Sequence, residues 1–89
     1  MTELHVPVIL RESGYTFYFV MADLNEPPHV HVGRGRSRRS DDAKIWLRPV
    51  GVARSGRFTA RQIAQILGIV EVHLEWMLQE WRRYESRIS

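Results

Sequence analysis

The chain has 89 residues, 44% of them hydrophobic and 26% charged, which is enough for one domain with one modest core and too little for two. It contains no cysteine. That excludes disulfides and thiolate metal sites and points to a reducing cytoplasm, because a secreted domain of this size usually needs such staples. The net charge of +3 rests on arginine, with Lys44 as the sole lysine among 13 basic residues. Forked guanidinium groups suit phosphate or carboxylate recognition, and a GC-rich genome produces the same bias, so composition alone does not choose. The opening MTELHVPVIL has neither a basic n-region nor a long apolar stretch, so no signal peptide is expected, and no apolar run approaches a membrane span.

In chain order, Val6 to Arg11 reads as extended, with Pro7 near its start, where a strand tolerates proline. Glu12-Ser13-Gly14 is a turn signal, and Tyr15 to Met21 has the aromatic, β-branched composition of a strand. These two segments predict a hairpin. Asp23 to Pro28 reads as loop. His29 to Val32 and Ala43 to Arg48 predict a second pair of strands around the polar tip Gly33 to Asp42. Period-two alternation puts Val30, Val32, Ile45 and Leu47 toward a core and gathers His29, His31 and Trp46 on the opposite face. Pro49 to Phe58, with two glycines, reads as an irregular connection.

Thr59 and Gln62 match a capping box, and a helix is expected from there. Ile63, Ile66, Leu67, Val70, Leu74, Met77, Leu78 and Trp81 fall in one sector roughly 120° wide. Arg82, Arg83 and Arg87 lie near the end, where the helix dipole favours cations. Gly68 costs about 1 kcal/mol relative to Ala and is the candidate kink. A straight helix to Tyr84 would run roughly 37 Å. A globule of this size is about 30 Å across, so the helix is expected to overhang the sheet or to break. The predicted class is α+β: a small antiparallel sheet of about four strands in two hairpins, packed on one long C-terminal amphipathic helix. The expected organisation is one domain, with sheet over 6–48, connection over 49–58 and helix over 59–85.

The run Pro27-Pro28-His29-Val30-His31-Val32, followed by Ala43-Lys44-Ile45-Trp46-Leu47, resembles the bacterial domain-of-unknown-function family 4160. Val8-Ile9-Leu10-Arg11, the aromatic strand, Phe58-Thr59-Ala60-Arg61, Trp81 and Tyr84 support it over nearly the whole chain. The resemblance implies a small bacterial protein often encoded beside a member of a second such family (domain-of-unknown-function 2442), in what looks like a type II toxin–antitoxin module. It implies no catalytic residue. The tip after HVHV is usually shorter and often acidic, whereas here Arg34, Arg36, Arg38 and Arg39 precede Asp41 and Asp42, so a basic tip is not a family expectation.

Several chemistries follow from these residues. His29 and His31 project from one strand face roughly 7 Å apart. They suit a metal pair if Asp23, Glu26, His5 or an aspartate of the tip supplies a third ligand. They also suit the acid and base of an RNase-like toxin, with Arg48 or Arg34 holding the phosphate. The plainest reading is structural: both imidazoles packed on Trp46 or Tyr18 and hydrogen-bonded to loop backbone. His5 and His73 read as surface residues. The tip arginines Arg34, Arg36, Arg38 and Arg39, with Trp46 as a stacking plane, are candidates for nucleic-acid binding. There is no phosphate-binding glycine loop and no serine with a placed base. Ile69, Val72 and Trp76 form a second apolar stripe away from the core sector, a candidate interface. The leading expectation is a cytoplasmic, non-enzymatic interaction module without a cofactor or membrane association. Its expected partner is a small protein encoded by a neighbouring gene; a homodimer, RNA or DNA stay open as others.

Overall fold

The computed structural model describes residues 7–36 and 38–88. Five strands form one antiparallel sheet in chain order: β1 (Val8–Glu12), β2 (Tyr15–Tyr18), β3 (His29–Arg34), β4 (Ala43–Leu47) and β5 (Val50–Arg54). Two helices follow, α1 (Ala60–Val72) and α2 (Leu74–Ile88). Among the described residues no helix is long and apolar enough to cross a membrane.

Local chemistry explains most of the turns. Ser13 and Gly14 both have positive φ (55° and 82°), as a two-residue type I′ hairpin turn requires. Arg48 and Pro49 form the turn from β4 to β5 through a cis peptide bond. The segment expected to be an irregular connection is therefore partly a fifth strand. Val50 and Val52 stand opposite Leu47 and Ile45, and Gly51 stands opposite Trp46. An edge strand carries a glycine at low cost, so Pro49 and Gly51 mask an alternation that Val50 and Val52 continue.

β3 is central and buried on both faces. Val30 and Val32 pair with Ile45 and Ala43, and the apolar face continues through Tyr15, Phe17, Phe19 and Leu47 into the helices. Ile63, Ile66, Val70, Met77 and Trp81 are buried, and Leu67, Leu74 and Leu78 pack partly against them, so the expected core sector is the one used. Thr59 caps α1 through the expected box: its hydroxyl accepts from Gln62 N at 3.1 Å, and Gln62 Oε1 accepts from Thr59 N at 2.9 Å. Tyr15 donates to Gln65 at 2.7 Å and ties β2 to α1.

The single helix expected over 59–85 is broken at His73, and Gly68 lies inside α1 without interrupting it. A continuous helix over 60–88 would be roughly 43 Å long. The longest extent of the molecule is 37 Å, so a bend keeps both halves on the sheet. At the bend His73 Nε2 meets Glu12 Oε1 at 3.0 Å, which anchors the corner to the end of β1.

Gly33 shows how tightly β3 meets the tip. A Cβ there would stand 2.6 Å from both carboxylate oxygens of buried Asp42. Gly33→Ala is therefore expected to lose about 1–3 kcal/mol of unfolding free energy in urea titration, through overpacking against a group that cannot retreat. Gly68→Ala, with nothing within 4 Å of its added Cβ, is expected to gain stability in the same assay.

Candidate functional site

The polar face of β3 carries His29 and His31, both buried. Burying imidazole requires hydrogen-bond partners, and the loop after β2 supplies them. After Val20 the chain makes a single 3-10 turn, Met21–Asp23, and returns through Pro27 and Pro28 to β3. This fold-back sets Asp23 Oδ2 at 3.3 Å from His29 Nε2 and 3.1 Å from His31 Nε2. The other nitrogen of His29, Nδ1, donates to the carbonyl of Pro27 at 2.9 Å. A carbonyl can only accept, so that contact requires the proton on Nδ1. Among the described residues these are the three side chains that bring His, Asp or Glu ligand atoms together, all within 4.8 Å of one another.

The walls are aromatic. His31 stacks on Tyr18 with centroids 5.4 Å apart and planes 19° apart. His29 meets Trp46 edge-on at 5.6 Å and Trp81 at 5.2 Å, which links the cluster to α2. The imidazoles pack on Tyr18 and Trp46, but of the expected loop-backbone hydrogen bonds only that of His29 is made; His31 meets the Asp23 side chain instead. Beside them Lys44 pairs with Glu26 at 2.8 Å and lies 4.8 Å over the Trp46 ring.

A second buried acid closes the tip. Asp42 accepts from the Tyr18 hydroxyl, from Arg39 N at 3.1 Å and from Arg57 Nη1 at 2.8 Å. Burial and then the Asp42 hydrogen bond push the Tyr18 phenol well above its usual range. Among the described residues no buried side-chain nitrogen or oxygen lacks a partner.

The remaining candidates are spread around the fold. Arg34 lies 4.6 Å over the Tyr15 ring and Arg39 pairs with Asp41 at 3.2 Å, while Arg36 and Arg38 are exposed. Trp46 does not sit beside this tip. It pairs with His29 at the other end of the β3–β4 hairpin, roughly 13 Å from Asp42 along the strand, so the stacking plane and the tip arginines occupy separate ends. Arg48 joins Trp46, Pro27, Pro49, Val50 and Gly51 around a shallow pocket of about 330 Å³. Ile69 leaves the expected interface stripe: it is 8% exposed and packs in the core, three residues after Ile66 and so roughly 60° from the edge of the core sector. Val72 and Trp76 are 79% and 41% exposed. His5, the other imidazole considered as a third ligand, lies outside the described residues.

A family model described as a domain of unknown function, DUF4160, matches residues 14–82, from the first hairpin turn to Arg82 within α2. The chain belongs to the DUF4160 family. No curated protein and no solved structure matches it. In this DUF4160 chain the matched span includes the whole Asp23–His29–His31 cluster and both large hydrophobic side chains left exposed at the bend, Val72 and Trp76.

The cluster makes stability depend on acid. Burial lowers the His31 pKa below its usual value, and the hydrogen bond to Asp23 offsets only part of that. Burial alone would raise the Asp23 pKa, but its contacts with His31 and His29 outweigh it and hold it below the usual carboxylate value. Both folded-state values are depressed, so the unfolded chain binds more protons on acidification and the folded state loses stability. The expected loss begins below about pH 6.5, as unfolded His31 takes up its proton, and steepens below about pH 3.9 through Asp23. Urea midpoints between neutral pH and pH 3 check this, and Asp23→Asn is expected to reduce the lower of the two phases.

Proposed function

We propose that this chain is an interaction module, one half of a toxin–antitoxin-like pair, and that it binds a small partner protein through the bend between α1 and α2. The observation that carries this reading is the exposure of Val72 and Trp76, four residues apart across the bend. An exposed tryptophan beside an exposed aliphatic is the composition of an interface anchor, since a few large side chains supply most of the binding energy of a protein contact. Glu71 and Glu75, both exposed, flank the pair in sequence. The partner surface that fits is therefore apolar with a basic rim. The family's resemblance to paired small proteins names the candidate: the product of the neighbouring gene.

The acid–base alternative draws on His29, His31 and Arg48. RNA cleavage needs imidazole nitrogens that can reach a phosphate. Here His29 is fully buried and the Nε2 atoms of both histidines face Asp23, which favours binding over catalysis. Arg48, on the β4–β5 turn, lines the Trp46 pocket.

Co-expression with the neighbouring gene product, followed by affinity measurement, tests the reading. Wild type is expected to co-purify with the partner. Trp76→Ala is expected to weaken the complex by about thirtyfold or more, the loss of about 2 kcal/mol that marks an anchor residue, and Val72→Asp is expected to weaken it further. Unchanged affinity in both variants would overturn the assignment of this surface. A homodimer that the same substitutions disrupt, with no binding of the neighbour, would overturn the choice of partner.

A further inference from the structure

We propose that Asp23, His29 and His31 form a binding site for one divalent first-row transition-metal ion of the zinc class, with the two Nε2 atoms and the Asp23 carboxylate as ligands and solvent completing the coordination. This stands apart from the partner surface: no residue is shared, and neither reading requires the other.

The size of the cluster is right. Ligand atoms about 2.0–2.1 Å from a tetrahedral zinc ion stand about 3.3 Å from one another. The two histidine–carboxylate separations are 3.3 Å and 3.1 Å, and no pair of ligand atoms exceeds 4.8 Å. The third pair, the two imidazoles, closes by up to about 1.5 Å to reach that spacing, and the two histidine–carboxylate pairs already have it.

Orientation is a second, independent observation. The Pro27 carbonyl holds the His29 proton on Nδ1, so in the neutral ring the Nε2 lone pair faces the Asp23 oxygen. A cation placed between Nε2 and the Asp23 oxygen is shared by these two facing acceptors. A backbone carbonyl on the far nitrogen is the usual outer-shell partner of a metal-bound histidine, because it sets the tautomer and the ring orientation. The sequence provides it through Pro27-Pro28, which turns that carbonyl back toward the ring two residues later.

Charge points the same way. Among the described residues Asp23 forms no ion pair with lysine or arginine; its partners are the two imidazoles. The nearest acid, Glu26, is occupied by Lys44 at 2.8 Å and stands 3.9 Å from His29 Nδ1. The Asp23 side chain is 26% exposed while that of His29 is fully buried, so the open coordination position lies on the Asp23 side, where water can reach it. Two imidazoles and one carboxylate without thiolate suit zinc, cobalt, iron or nickel; magnesium and calcium prefer all-oxygen shells.

Chelator-stripped wild-type protein titrated with Zn²⁺ in a calorimeter, and with Co²⁺ by visible absorption, tests the site. The expected result is one equivalent bound, cobalt spectra typical of low coordination number, and no response to Mg²⁺. Asp23→Asn, at a partly exposed position, is expected to keep its far-UV dichroism and to weaken Zn²⁺ by at least about tenfold, and His31→Gln is expected to do the same. His73→Gln, which alters the other imidazole–carboxylate pair of the described residues, is expected to leave binding unchanged. Absence of stoichiometric Zn²⁺ binding by wild type would overturn the proposal. So would equal affinity in folded Asp23→Asn, or loss of binding in His73→Gln.

Discussion

A strand buried on both faces must be apolar on both or must find hydrogen-bond partners for its polar side, and β3 takes the second course. Val30 and Val32 make its core face, while His29 and His31 face the other way and are just as thoroughly removed from water. Leaving such groups unpaired costs several kcal/mol each by transfer estimates, so the surrounding chain is organised to satisfy them. Asp23 and the Pro27 carbonyl serve the two imidazoles, and Tyr18 closes over His31. Asp42, with Tyr18, Arg39 and Arg57, seals the adjoining end of the hairpin. The loop from residue 21 to 28 and the aspartate that ends the tip are thus tied to the strands they join by these side-chain contacts.

The two helices answer a different constraint. One straight rod would outrun the sheet, and the bend at His73 lets α1 and α2 each cover part of it. Ile69, within α1, is buried, while Val72 and Trp76 on either side of the bend are exposed. Trp81 then reaches back to Phe19 and His29, both at 5.2 Å between ring centroids. The helix that supplies the exposed anchor also supplies one wall of the histidine cluster, so the two candidate sites share a scaffold while remaining chemically separate.

Much of this was legible in the residues. The capping box, the core sector of the helices, the β1–β2 and β3–β4 pairings and the split of β3 into a valine face and a histidine face follow from spacing alone. What was hidden has physical reasons. β5 is short, carries a glycine and starts after a proline, so its period-two signal rests on two valines. The break at His73 has no glycine or proline to announce it; it comes from the length of the rod against the width of the sheet, which is tertiary information. Asp23 stood among several plausible ligands because the fold-back that selects it depends on a 3-10 turn and two prolines. A loop-backbone acceptor was expected, but that it is the Pro27 carbonyl could not be read, since backbone acceptors have no letter in the sequence. The family match adds membership over residues 14–82, and the chemistry of the site comes from the geometry.

The arrangement of the buried polar face is tested most directly by the protonation of its imidazoles. A long-range proton–nitrogen correlation spectrum of the ¹⁵N-labelled protein at neutral pH resolves each ring nitrogen. The account predicts a proton on Nδ1 of His29, held by Pro27, and its loss of signal intensity only on unfolding. A His29 ring with a bare Nδ1 and its proton on Nε2 would contradict the hydrogen bond on which the orientation of the cluster rests.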